Sequence, residues 1–159
     1  MNMTKPRWKV YLLYILLTEA VGALAAALTQ EAALLYGEII TKPPLSPPAW
    51  VFPVAWTLLY ALMGFGAARV ALTPPTAARR LALRLFYAQL VVNFLWSIWF
   101  FSFGAYGFAF LWLVLLWALV VRMTLAFREL DRTAARTQIP YLLWLLFAGY
   151  LNFGVWRLN

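Results

Sequence analysis

The sequence predicts an all-α membrane protein, a bundle of five transmembrane helices forming a single domain over residues 1–159. Three observations predict it. Hydrophobic stretches run at about 8–28, 48–72, 80–103, 105–127 and 138–156, each close to the roughly 20 residues a helix needs to cross a hydrocarbon core. The chain is 65% hydrophobic and only 11% charged, outside the range of soluble domains. All but Lys42 and Arg157 of its 13 Lys and Arg fall before the first span or around the second and fourth gaps. Cytoplasmic segments collect such charges, so the expected orientation in a bacterial cell membrane is N-terminus inside and C-terminus outside.

The first span carries Lys5, Arg7 and Lys9 ahead of it. Its apolar run, Val10 to Leu28, exceeds the 7–15 residues of a signal-peptide core, so it is expected to be retained as a helix ending near Thr29. Gly22 and Ala26 form a small-xxx-small pair that lets another helix approach closely. Residues 30–47 form the one long loop, with a short interfacial helix expected from Glu31 to Ile40. Pro43-Pro44 and Pro47-Pro48 stiffen it, since each proline fixes φ and lacks a donor. Such a loop suits a lid over the bundle, with a plain hairpin connection as the alternative. Ser46 and Pro47 are the expected N-cap and first position of the second helix, which Pro53 should bend or delay. Thr73-Pro74-Pro75-Thr76 breaks the chain before the third helix. Ser102 to Gly107 is a short turn, making the third and fourth helices antiparallel neighbours. Arg128 to Arg136 reads as a charged loop, and the fifth helix begins around Gln138 to Pro140. No internal repeat is visible, which weighs against an inverted-repeat transporter.

The composition excludes several chemistries. With no Cys and no His, thiolate and imidazole catalysis, disulfides, ordinary zinc sites and a His or Cys axial ligand to haem are absent. No metal site, nucleophile–base pair or phosphate loop is present. The net charge of +8 sits at helix ends and forms no basic face for nucleic acid.

What remains is a set of polar and aromatic residues inside the spans. Gln89, Asn93, Trp96 and Phe100 recur at steps of four, three and four, so they share one helical face. Tyr141, Trp144, Ala148 and Asn152 share another. The amides either bond across helices or orient a flat ligand held between aromatic walls. Glu19 is the one carboxylate deep in a span, at a cost of about 2.5–3.5 kcal/mol on insertion scales; protonation or a bond within a polar cavity would offset it. Of the nine tryptophans, Trp8 and Trp156 suit the membrane interface. Trp50, Trp56, Trp96, Trp99 and Trp144 are the candidates for an internal aromatic site.

Several motifs resemble a known family. Lys42-Pro43, Pro47-Pro48-x-Trp50 and Pro53-x-x-Trp56-x-x-x-Tyr60 with Met63-Gly64 are similar to the first loop and second helix of the TspO/MBR proteins. These are also called tryptophan-rich sensory proteins, translocator proteins and peripheral-type benzodiazepine receptors. Ala88-Gln89-Leu90-x-x-Asn93-x-x-Trp96 resembles the family's third helix. Pro140-Tyr141-Leu142-x-Trp144-x-x-Phe147-Ala148-x-x-Leu151-Asn152 and Val155-Trp156-Arg157-x-Asn159 resemble its fifth. Leu45, Ala49 and Leu35 depart from the pattern, removing aromatic surface and a charge from the loop. Phe153 breaks the animal proteins' cholesterol-recognition pattern, and cholesterol is not the expected ligand.

The resemblance implies a homodimer that binds porphyrins such as protoporphyrin IX in the bilayer, with no required cofactor. The ligand-binding residues it and the shared faces imply are Trp50, Gln89, Asn93, Trp96, Phe100, Tyr141, Trp144, Ala148 and Leu151, beneath the 30–47 loop. The leading expectation is a porphyrin-binding sensory or translocator protein. The alternatives are a light-dependent protoporphyrin-degrading enzyme, with Trp50 and Trp144 as the catalytic candidates, and a tetrapyrrole or lipid transporter.

Overall fold

A lipid-facing backbone must satisfy its own hydrogen bonds, and an α-helix does so within one segment. The computed structural model describes residues 7–159 and is helical almost throughout, with no strand among the described residues. Its elements are α1 (Arg7–Ile39), α2 (Val51–Ala71), α3 (Ala77–Ser97), α4 (Tyr106–Leu130), the short α5 (Arg132–Arg136) and α6 (Ile139–Leu158). Five helical segments are long and apolar enough to cross a membrane, and the chain is a multi-pass membrane protein. Lys5 lies outside the described residues.

The boundaries differ from the sequence expectations at four places, each for a local reason. α1 does not stop near Thr29, and Glu31 to Ile40 is not a separate helix: α1 continues unbroken for 33 residues. Gln30 to Tyr36 are mostly good helix formers, and the first proline comes only at Pro43. At 1.5 Å per residue the helix is about 50 Å long, more than a bilayer core needs. Ser46 does not cap α2; its hydroxyl donates to the Pro43 carbonyl at 2.7 Å. The helix starts later, at Val51, with Trp50 as its N-cap. That places Pro53 in the first turn, where amide donors have no intrahelical acceptor and its missing N–H costs nothing. α3 ends in a wide π turn over Ile98–Ser102. The loop expected at Arg128 to Arg136 contains α5, because the Asp131 side chain accepts from the Ala134 amide at 2.8 Å and caps it.

The bundle turns its polar side chains inward. Thr18, Thr29, Gln89, Asn93, Gln138 and Asn152 are buried, while Leu13, Leu58, Leu111, Leu143 and Leu146 are exposed on the outside, where lipid would cover them. α1 and α2 meet closely at two glycines. The Tyr60 ring lies against Gly22, and Gly64 packs on the α1 backbone. Beside Gly64, the Thr18 hydroxyl donates to the Tyr60 carbonyl at 2.7 Å. α4 packs against both α3 and α6, and the Trp112 indole N–H donates to the Val92 carbonyl at 2.8 Å.

The two ends of the bundle differ. Toward α5 the interior is solid, filled by Met63, Val70, Phe86, Met123 and Phe127, all fully buried. There Arg69 makes a bidentate pair with Asp131, with N–O distances of 3.0 and 2.7 Å to one carboxylate oxygen and 3.1 Å to the other. Arg79 donates to the Ala71 and Thr73 carbonyls at the end of α2. Toward the 40–50 loop the interior is hollow.

Candidate functional site: a cavity beneath the 40–50 loop

The hollow is a cavity of about 360 Å³, within the range of small-molecule sites. Small side chains make the space. Gly22, Ala25, Ala26, Thr29 and Ala33 of α1 line one wall, at steps of three, one, three and four that place them along one helical face. Ala148 of α6 lines the opposite side. Between them stand aromatic walls: Tyr36, Phe52, Trp56, Tyr60, Trp96, Phe100, Phe101 and Trp144. These rings brace one another. Trp96 stacks on Phe100 with centroids 5.1 Å apart, and Trp56 meets Trp144 edge-on at 6.4 Å. Offset and edge-on pairs of this kind each add about 0.5–1.5 kcal/mol beyond area burial, so the walls are stiff without any ligand. The π turn carries Phe100 and Phe101, consecutive residues that both reach the cavity.

The loop forms the roof through Lys42, Ser46, Pro47 and Ala49. Four of its residues are prolines, so it has few backbone donors to leave unsatisfied over an apolar space. Lys42 supplies a cation at the mouth. Its Nζ donates to the Gly37 carbonyl at 3.1 Å and sits 5.6 Å from the centre of the Tyr36 ring.

Two hydrogen-bonded networks stand at the cavity wall. In the first, the Tyr141 hydroxyl donates to Gln89 Oε1 at 3.0 Å and accepts from Asn93 Nδ2, while the Tyr60 hydroxyl donates to Asn93 Oδ1 at 3.1 Å. This chain joins α2, α3 and α6. In the second, the Trp96 indole N–H donates to Asn152 Oδ1 at 3.1 Å, and Asn152 Nδ2 donates to the Tyr106 carbonyl at 2.8 Å. That chain joins α3, α6 and α4 and fixes the plane of the Trp96 ring.

Of the residues expected in the site, Asn93, Trp96, Phe100, Trp144, Ala148 and Leu151 line the cavity. Gln89 and Tyr141 do not. They are fully buried one layer behind it, and their polar atoms are engaged in the first network. Trp50 is also absent from the lining and is 67% exposed. Trp50 is the N-cap of α2 with a helical backbone (φ −65°, ψ −21°), and two residues before Phe52 it points to the opposite side from the face that carries Phe52 and Trp56. Trp99 packs outside the cavity against Phe103, Phe108 and Trp112. Glu19 is partly exposed and does not line the cavity. The α1 wall, Tyr36, Phe52, Tyr60 and Phe101 also line the cavity, beyond the site residues the sequence marks; the spacing of small residues along α1 is the available signal, visible in part as the Gly22–Ala26 pair. Among the described residues no cluster of His, Cys, Asp or Glu could hold a metal. The cavity is mostly apolar and aromatic, with the Asn93 amide and Lys42 among its few polar lining groups.

Comparison with known proteins places the chain in a family. The family model described as "TspO/MBR family" matches residues 14–157. "Protein CrtK" of Rhodobacter capsulatus is 36% identical over 151 residues, covering 94% of this chain and 92% of the relative. "Tryptophan-rich sensory protein" of Cereibacter sphaeroides is 35% identical over 159 residues, covering 100% and 95%. "Translocator protein" of Bos taurus is 31% identical over 156 residues, covering 97% and 92%.

Proposed function

The chain belongs to the TspO/MBR family of sensory and translocator membrane proteins, and on that premise we propose that its cavity binds a tetrapyrrole such as protoporphyrin IX. The observation that carries this reading is the cavity's composition: eight aromatic side chains around the space, with the Asn93 amide in one wall and Lys42 at the mouth. A porphyrin is a flat apolar ring with carboxylates at one edge. The ring faces meet indole and phenyl surfaces, and the carboxylates turn toward Lys42. The chain has no Cys or His to serve as an axial ligand to a central metal, and the proposed recognition rests on the ring's faces and edge.

Titration of the purified protein with protoporphyrin IX, followed by quenching of tryptophan fluorescence, tests this. Saturable binding is expected. Lys42→Ala is expected to weaken protoporphyrin binding about two- to fivefold, the worth of a partly exposed ion pair, and to leave binding of the dimethyl ester unchanged. Equal loss for both compounds would remove Lys42 as the carboxylate partner; no saturable binding by the wild type would reject the tetrapyrrole reading. The homodimer implied by the resemblance belongs to the same proposal, and cross-linking in native membranes tests it. A light-dependent breakdown of bound porphyrin would draw on Trp56, Trp96 and Trp144, which line the cavity, in preference to Trp50. Illumination of the complex with and without Trp144→Phe tests that second reading.

A further inference from the structure

The seam between α3 and α4 carries two arginines at one depth on its lipid side. The two helices run antiparallel, and the Trp112 indole bonded to the Val92 carbonyl sets their register. Counting away from that bond in opposite directions along the two helices places Arg84 and Arg122 within about one turn of the same level. Both side chains are exposed, while Ala82 and Phe86 on α3 and Val120 and Met123 on α4 are fully buried. Both arginines therefore project away from the bundle interior.

Their depth follows from the other end of the seam. There Trp99 meets Phe108 edge-on at 5.4 Å, with Phe103 exposed beside Trp99, a grouping suited to the membrane–water boundary. Arg84 is about 22 Å along α3 from Trp99, and Arg122 about 21 Å along α4 from Phe108, at 1.5 Å per residue. A hydrocarbon core is about 30 Å thick, so the backbone of each arginine lies inside its far edge. Charges there are costly and are normally paired. No carboxylate pairs with either arginine. Arg69–Asp131 is the one ion pair among the described residues, and Glu129 is about 10 Å along α4 from Arg122.

We propose that Arg84 and Arg122 form a binding site for the phosphate of an anionic phospholipid, in the leaflet at the solid end of the bundle. Each stem runs along apolar helix surface and lifts its charged head to the level of the lipid phosphates. A guanidinium meets two phosphate oxygens through parallel N–H donors, and two guanidiniums from adjacent helices can share one phosphate. Val91 lies two turns along α3 from Arg84, and Leu115 two turns along α4 from Arg122, on the same outward faces. Both are exposed and offer apolar surface to the acyl chains. The surrounding charge selects the headgroup. Arg80, Arg128, Arg132 and Arg136 are exposed at the same end and repel the cation that a choline headgroup carries, whereas a glycerol headgroup carries none.

Native mass spectrometry of the full chain in detergent, with phosphatidylglycerol and phosphatidylcholine offered in equal amounts, tests this. The wild type should retain phosphatidylglycerol in preference. The double variant Arg84→Gln/Arg122→Gln should lower that preference about fivefold, the worth of two exposed ion pairs. Arg132→Gln/Arg136→Gln removes the same charge from α5 at the same end and should leave the preference intact. Arg84→Lys/Arg122→Lys keeps the charge that orients the chain but cannot chelate a phosphate; it should also lower the preference, and it serves if the first variant fails to fold. Equal losses in the two Gln variants would overturn the site in favour of diffuse attraction. So would a wild type without preference, or an undiminished preference in Arg84→Gln/Arg122→Gln, or in the Lys variant where that one does not fold.

Discussion

Ala148 and Trp144 sit one turn apart on α6, and both line the cavity, but they contribute opposite things. Ala148 supplies empty space. Replacing it with Phe puts a ring where a flat ligand would lie, so Ala148→Phe should weaken protoporphyrin binding at least tenfold while leaving membrane insertion and helix content unchanged; a fluorescence titration of the folded variant checks this. Trp144 supplies surface, and its ring meets Phe52 and Trp56 edge-on. Losing it removes about 0.5–1.5 kcal/mol of aromatic contact beyond area burial, so Trp144→Ala should bind about tenfold more weakly, whereas Trp8→Ala should bind as the wild type does. Trp8 is 61% exposed beside Lys9, at the interfacial end of α1. Periodicity identified the faces that carry these residues, since i, i+3 and i+4 spacing survives any helix packing. It did not identify depth within a face. Gln89 and Asn93 are one turn apart on the same stripe, yet only Asn93 reaches the cavity, while the Gln89 carbonyl oxygen accepts from the Tyr141 hydroxyl in the solid interior. That engagement is a tertiary fact with no signature in the spacing of α3. Trp50 stands outside the cavity for a simpler reason: with a helical backbone at the N-cap of α2, it lies two residues, about half a turn, from Phe52.

α1 does two jobs along one face. Its lower half is sealed to α2 through Gly64 and Thr18, and from Gly22, which touches the Tyr60 ring, onward its small residues form the cavity wall. The seal is the part a substitution should break. A Cβ at Gly64 would stand 2.6 Å from the Ile15 Cα and 2.7 Å from the Tyr14 carbonyl oxygen, backbone atoms that cannot rotate away. Gly64→Leu should therefore destabilise the bundle by at least the roughly 1–3 kcal/mol typical of overpacking, measured as a lower thermal midpoint in detergent. An unchanged midpoint would mean that α1 and α2 can separate without cost. Gly22→Ala tests the same contact more gently, since there the obstacle is the Tyr60 ring. The five spans were legible because lipid demands length and apolarity, which composition records directly. The run of α1 past the membrane was not, since span length follows the bilayer whereas helix length follows the first strong breaker, here Pro43. The π turn after α3 was also silent in the sequence; it is a choice of hydrogen-bond register made where the chain turns toward α4.

At the scale of the molecule, contacts sort the charged residues to opposite ends. Arg69, Arg79 and Asp131 meet at the solid end, while Lys42 sits at the hollow end, where the neighbouring Thr41 is bonded to Asn159. The Arg69 guanidinium beside Asp131 holds that carboxyl below the usual carboxylate range, helped by the Ala134 amide. A carboxyl whose pKa is lower folded than unfolded contributes its full stability above the unfolded value of about 4 and loses it as pH falls through the folded one. The stability difference between wild type and Asp131→Asn should therefore be largest near neutrality and shrink below about pH 4, read from unfolding midpoints at each pH. The same sorting leads to an orientation. The end that holds Arg69 and Arg79 also carries Arg80, Arg84, Arg122, Arg128, Arg132 and Arg136 in its loops and helix ends, against Lys42 and Arg157 at the other. Positive charges in short loops are retained on the cytoplasmic side, so the solid end should face the cytoplasm and the lidded cavity should open outward. A reporter active only in the cytoplasm should be active when fused at residue 133 and silent when fused after Asn159, with the reverse for a reporter that works only outside. Reversal at both positions would invert the cavity and place its ligand supply in the cytoplasm. Identical behaviour at the two positions is incompatible with the single crossing that α6 makes between them.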